Sequence, residues 1–167
     1  MKHLSFCLLI LLAACTDIFA QTGKEESIIL DIRKEFTAIN AAEKKYKVLA
    51  SEVEGLSTEG GDIKKYYDST ELKKAILTLY GESGKMIVDY YFSNNNLIFA
   101  FEKNESYDKL IYQGKVKVVS TIENRFYFDK KKLIRWVQDK KIKDKSLYPA
   151  REQEILADLA GDLKLIE

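Results

Sequence analysis

Apolar side chains at Ile29, Ile32, Phe36, Ile39, Tyr46, Leu49 and Val53 recur three and four positions apart, a spacing that predicts one long amphipathic helix over residues 24–56. Glu25, Glu26 and Asp31 fall near its start, where carboxylates complement the helix dipole. Turn-forming residues at 57–61 end it. Beyond them the apolar period drops from 3.6 to 2. Nine of the ten tyrosines, together with Trp136, lie between Tyr66 and Tyr148, a composition suited to strands. Strands are expected near 64–67, 73–80, 85–92, 97–103, 116–121, 124–128 and 133–138. The short polar connectors at 81–84 and 93–96 make neighbouring strands antiparallel. Residues 104–114 form the longest irregular stretch and the expected mobile loop. Pro149 opens a final helix whose stripe is Ile155, Leu156, Leu159, Leu163 and Ile166. The expected fold is α+β: a long N-terminal helix, an antiparallel meander of about six strands, and a short C-terminal helix. The helices are expected to pack on the sheet and leave one of its faces open.

The first twenty residues follow another logic. Lys2 precedes an apolar run over 4–14, long enough for an export signal and too short for a membrane span. The run ends in Leu12-Ala13-Ala14-Cys15, which resembles the lipobox of bacterial lipoproteins. That resemblance implies lipid attachment at Cys15 and a mature chain beginning there. A rival cut after Ala20, leaving Gln21 first, suits ordinary signal peptidase. Either cut implies an exported protein: a membrane-anchored lipoprotein of the cell envelope, or a periplasmic or secreted one. Residues 1–20 are then the signal and 21–167 a single domain.

Composition narrows the chemistry. The single histidine is His3, and the two cysteines are Cys7 and Cys15, so a processed domain holds neither imidazole nor a thiol free for reaction. Cys- or His-based metal sites and Ser-His-Asp or Cys-His catalysis are excluded there. No cofactor motif is present. A net charge of +1 offers no electrostatic case for nucleic acid.

Three segments share a pattern: Tyr66-Tyr67-Asp68-Ser69-Thr70-Glu71-Leu72, Tyr91-Phe92-Ser93-Asn94-Asn95-Asn96-Leu97 and Tyr127-Phe128-Asp129-Lys130-Lys131-Lys132-Leu133. Two aromatics lead to Asp or Ser, three polar residues and Leu, which reads as a strand end, a turn and a returning strand. The pattern resembles the hairpins of MORN-type repeats, without their glycines.

Three surfaces are candidates for function. Tyr67, Tyr91, Tyr127 and Trp136, with Arg135 beside them, would line an uncovered sheet face and hold a protein, peptide or glycan. The competing account is cross-strand packing. Residues 130–145 carry eight basic side chains, suited to anionic headgroups or to a solvated turn. Asp89, Glu102 and Glu123 lie in or near strands and would serve acid–base hydrolysis of a glycan if two of them met. A non-enzymatic binding module is the expected function. The alternatives are a carboxylate-dependent glycan hydrolase and a structural subunit assembling through the 24–56 helix.

Overall fold

A computed structural model describes the backbone of residues 4–166 and the side chains of residues 23–164. The side chain of Cys15 lies outside that range. Among the described residues no helix is long and apolar enough to cross a membrane. Helix α1 (Leu4–Ala42) leads into a single sheet of eight strands, every neighbouring pair antiparallel and in sequence order. The strands are β1 (Lys47–Val53), β2 (Gly61–Asp68), β3 (Glu71–Gly81), β4 (Gly84–Ser93), β5 (Asn96–Tyr107), β6 (Val118–Asp129), β7 (Lys132–Gln138) and β8 (Lys141–Ile142). Helix α2 (Tyr148–Asp162) closes the chain with a short 3-10 turn.

The α+β architecture with a long first helix, a meander and a short last helix is the expected one. The sheet has eight strands where about six were expected, and the helices pack on both of its faces rather than leaving one uncovered. Three further details differ along the chain. Helix α1 ends at Ala42, and residues 47–53 form β1 rather than the helix's last turns. Leu49 and Val53 are four apart, a separation that keeps two side chains on one face of a helix and of a strand alike. The strands expected at 116–121 and 124–128 are one continuous β6, since nothing between Thr121 and Asn124 breaks extended backbone. The expected loop at 104–114 begins later: residues 104–107 belong to β5, and Ile111 N–H donates to the Glu82 carbonyl at 2.9 Å.

The two helices cover opposite faces of the sheet. Under α1, Ile29, Ile32 and Ile39 meet Tyr91, Phe99 and Tyr127. Under α2, Tyr148, Ile155 and Leu159 meet Val88, Tyr90, Phe92, Phe126 and Phe128. Alternation along the strands sends neighbouring aromatics into different layers. The triplicated segment organises this division. Each copy makes a hairpin, β2–β3, β4–β5 or β6–β7, and each carries a register shift between its two aromatics. Tyr91 and Tyr127 lie in the α1 layer, whereas Phe92 and Phe128 lie in the α2 layer with Leu97 and Leu133. The turns need left-handed backbone: Asn94 and Asn95 have φ of 50° and 58°, Lys130 and Lys131 of 49° and 68°. Such paired positive φ values match the twist of the flanking strands.

Helix α1 crosses the strands near these turns and leaves the far part of its face open. There Lys85, Lys103 and Glu105 form a cross-strand ion cluster, with Nζ–O distances of 3.2 and 2.8 Å. Tyr80 on the same face is exposed and donates to Asp62.

Candidate functional site

The five aromatic and basic residues singled out by sequence do not share one surface. Tyr91 and Tyr127 are buried beneath α1, and the Tyr91 hydroxyl donates to Asn40 at 3.1 Å. Arg135 lies on the same face and is held by Glu25 at 2.8 Å and by Glu26. Trp136 lies on the opposite face, its indole N–H donating to Asn124 at 2.8 Å. Tyr67, half-buried, pairs with Leu72 on the α2 side. The basic run is likewise divided. Lys132 pairs with Glu152, Lys145 with Glu25, and Lys143 sits 5.4 Å from the Trp136 ring centre. The candidate carboxylates also separate. Asp89 pairs with Phe101 and Glu123 with Lys103 across the α1 face, whereas Glu102 points to the α2 side.

Glu102 is where the structure gathers polar groups. Its carboxylate accepts from Asn104 at 2.8 Å, from Asn124 at 2.9 Å and from Arg151. The chain of bonds therefore runs from Trp136 through Asn124 and Glu102 to Arg151 on α2. Arg151 reaches Glu154 at 2.7 Å and lies over the Phe126 ring at 5.0 Å. Among the described residues its Nε is the buried side-chain polar atom left without a partner. With three side-chain donors on one carboxylate, Glu102 is suited to fixing Arg151 rather than to moving a proton.

This network borders a cleft of about 300 Å³ between α2 and the sheet. Its apolar floor is Leu77, Leu79, Met86, Val88, Ala100 and Phe126. Glu102, Glu154 and Asp158 also line it, with Asp162 buried at its inner wall, against the single lining cation Arg151. Strand alternation supplies the floor, and a helical turn places Asp158 and Asp162 on one side of α2. Burial pushes the Asp162 carboxyl above the usual range, opposed by the hydrogen bond it accepts from Tyr90 at 3.1 Å. Loss of solvent followed by the like charge of Glu154 pushes Asp158 up as well. Burial and the Asp162 charge raise the Tyr90 hydroxyl, so it stays a donor.

Sequence reasoning found Glu102 and missed the rest. Asp158 flanks the apolar stripe of α2 and Asp162 falls within it, three residues after Leu159, but nothing local marks which of these positions borders a cleft. The available signal was their spacing of four residues beside Ile155 and Leu159, visible only once the helix's partner face is known. No protein-family model, curated protein or solved structure matches the chain.

Proposed function

We propose that the protein is an exported, non-enzymatic binding module of the cell envelope, and that the cleft beneath α2 seats a short peptide through an apolar segment and a basic side chain. The observation that carries this reading is the pairing of an apolar floor with carboxylates in excess of cations. An apolar segment loses its water against Leu77, Val88 and Phe126, while a Lys or Arg head meets Asp158 at the rim. The cleft's volume matches the lower end of known ligand pockets and suits one or two side chains rather than a long chain. Export enters as part of the same proposal. Among the described residues, the side chains of α1 that meet the sheet, from Glu25 onward, lie beyond both suggested cuts, so either mature form keeps those contacts. Mass spectrometry of the mature N-terminus separates a lipidated Cys15 from a free Gln21.

Calorimetric titration of the full chain tests the cleft. Short apolar peptides ending in Lys should bind, and matched peptides ending in Glu should bind at least about tenfold more weakly, a difference of roughly 1.4 kcal/mol. Asp158→Asn should remove most of that preference. Equal binding of both peptides ends the proposal.

A second reading draws on one observation, the raised pKa of two carboxyls in one cleft, which suits general acid–base hydrolysis of a glycan. Release of reducing sugar from envelope glycans, abolished by Asp158→Asn, would favour it over peptide binding.

A further inference from the structure

The apolar stripe of α1 packs on the sheet, and its two flanks carry opposite charge. Asp31 and Glu35 lie on the flank towards the hairpin turns, where they border Asn94 and Lys130. Arg33 lies on the other flank, towards the open part of the face, where it borders Arg125. Arg125 is two residues back along β6 from Tyr127 and shares its face, because side chains alternate along a strand. The two guanidiniums thus come from different elements to one place.

Between them is a hollow of about 140 Å³, lined by Ile32, Arg33, Phe36, Phe99, Arg125 and Tyr127. Its wall is aromatic: Phe36 stands 5.4 Å from Phe99, and Phe99 stands 5.0 Å from Tyr127, ring centre to ring centre. The Arg33 guanidinium lies 5.8 Å from the Tyr127 ring centre, and that of Arg125 lies 5.1 Å from Phe101. No carboxylate lines the hollow. Glu123 takes one Nη of Arg125 at 2.7 Å, and a guanidinium has five N–H donors to offer. Glu26 is close enough to feel the charge of Arg33, but its carboxylate is bonded to Arg135. Among the described residues, no ion pair or hydrogen bond engages the exposed Arg33 guanidinium. A guanidinium over a ring is ordinary packing by itself. Two of them bordering one aromatic hollow form a site selective for a negative charge on an apolar body.

We infer that this hollow binds a small free arylcarboxylate, its ring against Phe36, Phe99 and Tyr127 and its carboxylate between Arg33 and Arg125. A cavity of about 150 Å³ holds one benzene ring, so the ring fills the hollow and the carboxylate stays at the mouth, beside the cations. There it keeps part of its water, which limits the cost of desolvation. The hollow lies over β5 and β6 where both have neighbours on either side, so a peptide's main chain meets no free strand edge. A free acid needs none. The charge is the reverse of that in the cleft beneath α2, on the other face of the sheet, so this inference does not rest on the peptide-binding reading.

Titration of phenylacetate into the full chain, followed by proton–nitrogen correlation spectra of backbone amides and arginine Nε–H groups, tests the site. Saturable shifts should centre on α1 near Arg33 and on β6 near Arg125. Phenylacetamide, which keeps the ring and loses the charge, and acetate, which does the reverse, should each bind at least about tenfold more weakly. Arg33→Gln should weaken phenylacetate about fivefold with an unchanged melting temperature, since the side chain is exposed. Glu123→Gln should tighten phenylacetate by roughly threefold by releasing Arg125 from its ion pair, a gain that a purely structural arginine would not produce. Equal affinity for phenylacetate and phenylacetamide, acetate binding as tightly as phenylacetate, or affinity unaltered by Arg33→Gln would overturn the inference. Tighter binding of a tripeptide ending in phenylalanine would overturn the assignment to a free acid.

Discussion

Glu25 ties the first helix to β7 and to the segment that follows β8. Its carboxylate meets Arg135 at 2.8 Å and Lys145 at 2.7 Å, partners more than a hundred residues along the chain. Burial works against its charge, but the hydrogen bonds from Lys145 and Arg135 win and hold its pKa below the usual carboxylate range. A depressed folded pKa means that its stabilisation is complete above the unfolded value and is lost as pH falls through the folded one. The stability difference between the wild-type chain and Glu25→Gln, followed by urea unfolding, should hold at neutral pH and close below about pH 4.3. Arg135→Ala should cost about 2 kcal/mol at pH 7, the scale of hydrogen bonds to charged groups, and leave Glu25 without its neighbour on β7. An unchanged urea midpoint in Arg135→Ala would contradict that role. The sequence marked Arg135 as chemically interesting and could not show its partner. Ion pairs between distant segments leave no local pattern.

At the level of elements, the triplicated hairpin was legible because its chemistry is local. Paired aromatics, a short polar turn and a returning Leu fix a strand end without reference to anything distant. What the pattern could not reveal is that the two aromatics serve different helices, since that depends on both faces being covered. The same limit explains β1. Leu49 and Val53 satisfied the helical stripe, and only the need of β2 for a neighbour on its other side makes the extended state win. The turn residues themselves give a direct test. Lys130 and Lys131 occupy the left-handed region, which disfavours residues with a Cβ by roughly 1–2 kcal/mol each, whereas the equivalent turn in β4–β5 uses Asn94 and Asn95. Replacing Lys130-Lys131 by Asn-Gly should raise stability by about 1 kcal/mol, seen as a higher urea midpoint with an unchanged slope. In the α1 layer, Phe36 sits 4.8 Å from the Tyr91 ring and 5.4 Å from Phe99. Phe36→Ala should cost about 3 kcal/mol, and slow hydrogen exchange should be lost from α1 before it is lost from β4 and β5.

Across the whole molecule, the cleft under α2 is the place where the fold accepts a cost. Asp162 is buried, and among the described residues its carboxylate accepts from the Tyr90 hydroxyl. Its raised pKa makes its contribution to stability most favourable below the unfolded value, and that advantage is lost as pH rises through the folded one. Ionised Asp162 therefore weakens the fold at neutral pH, in contrast to Glu25, which strengthens it there. Such opposition is expected where a charge is retained for binding rather than for folding. Asp162→Asn keeps an oxygen to accept from Tyr90 and removes the buried charge. The variant should unfold at higher urea than the wild-type chain at pH 8, and the gain should shrink towards zero near about pH 4, where the native carboxyl is protonated. The same substitution should weaken the Lys-ended peptide, whose affinity for the wild-type chain should rise with pH as Asp158 and Asp162 ionise. A variant that is more stable at pH 8 and binds as tightly as before would separate the burial of Asp162 from any role in the cleft. One that is less stable at pH 8 would mean that the Tyr90 bond requires the carboxylate itself.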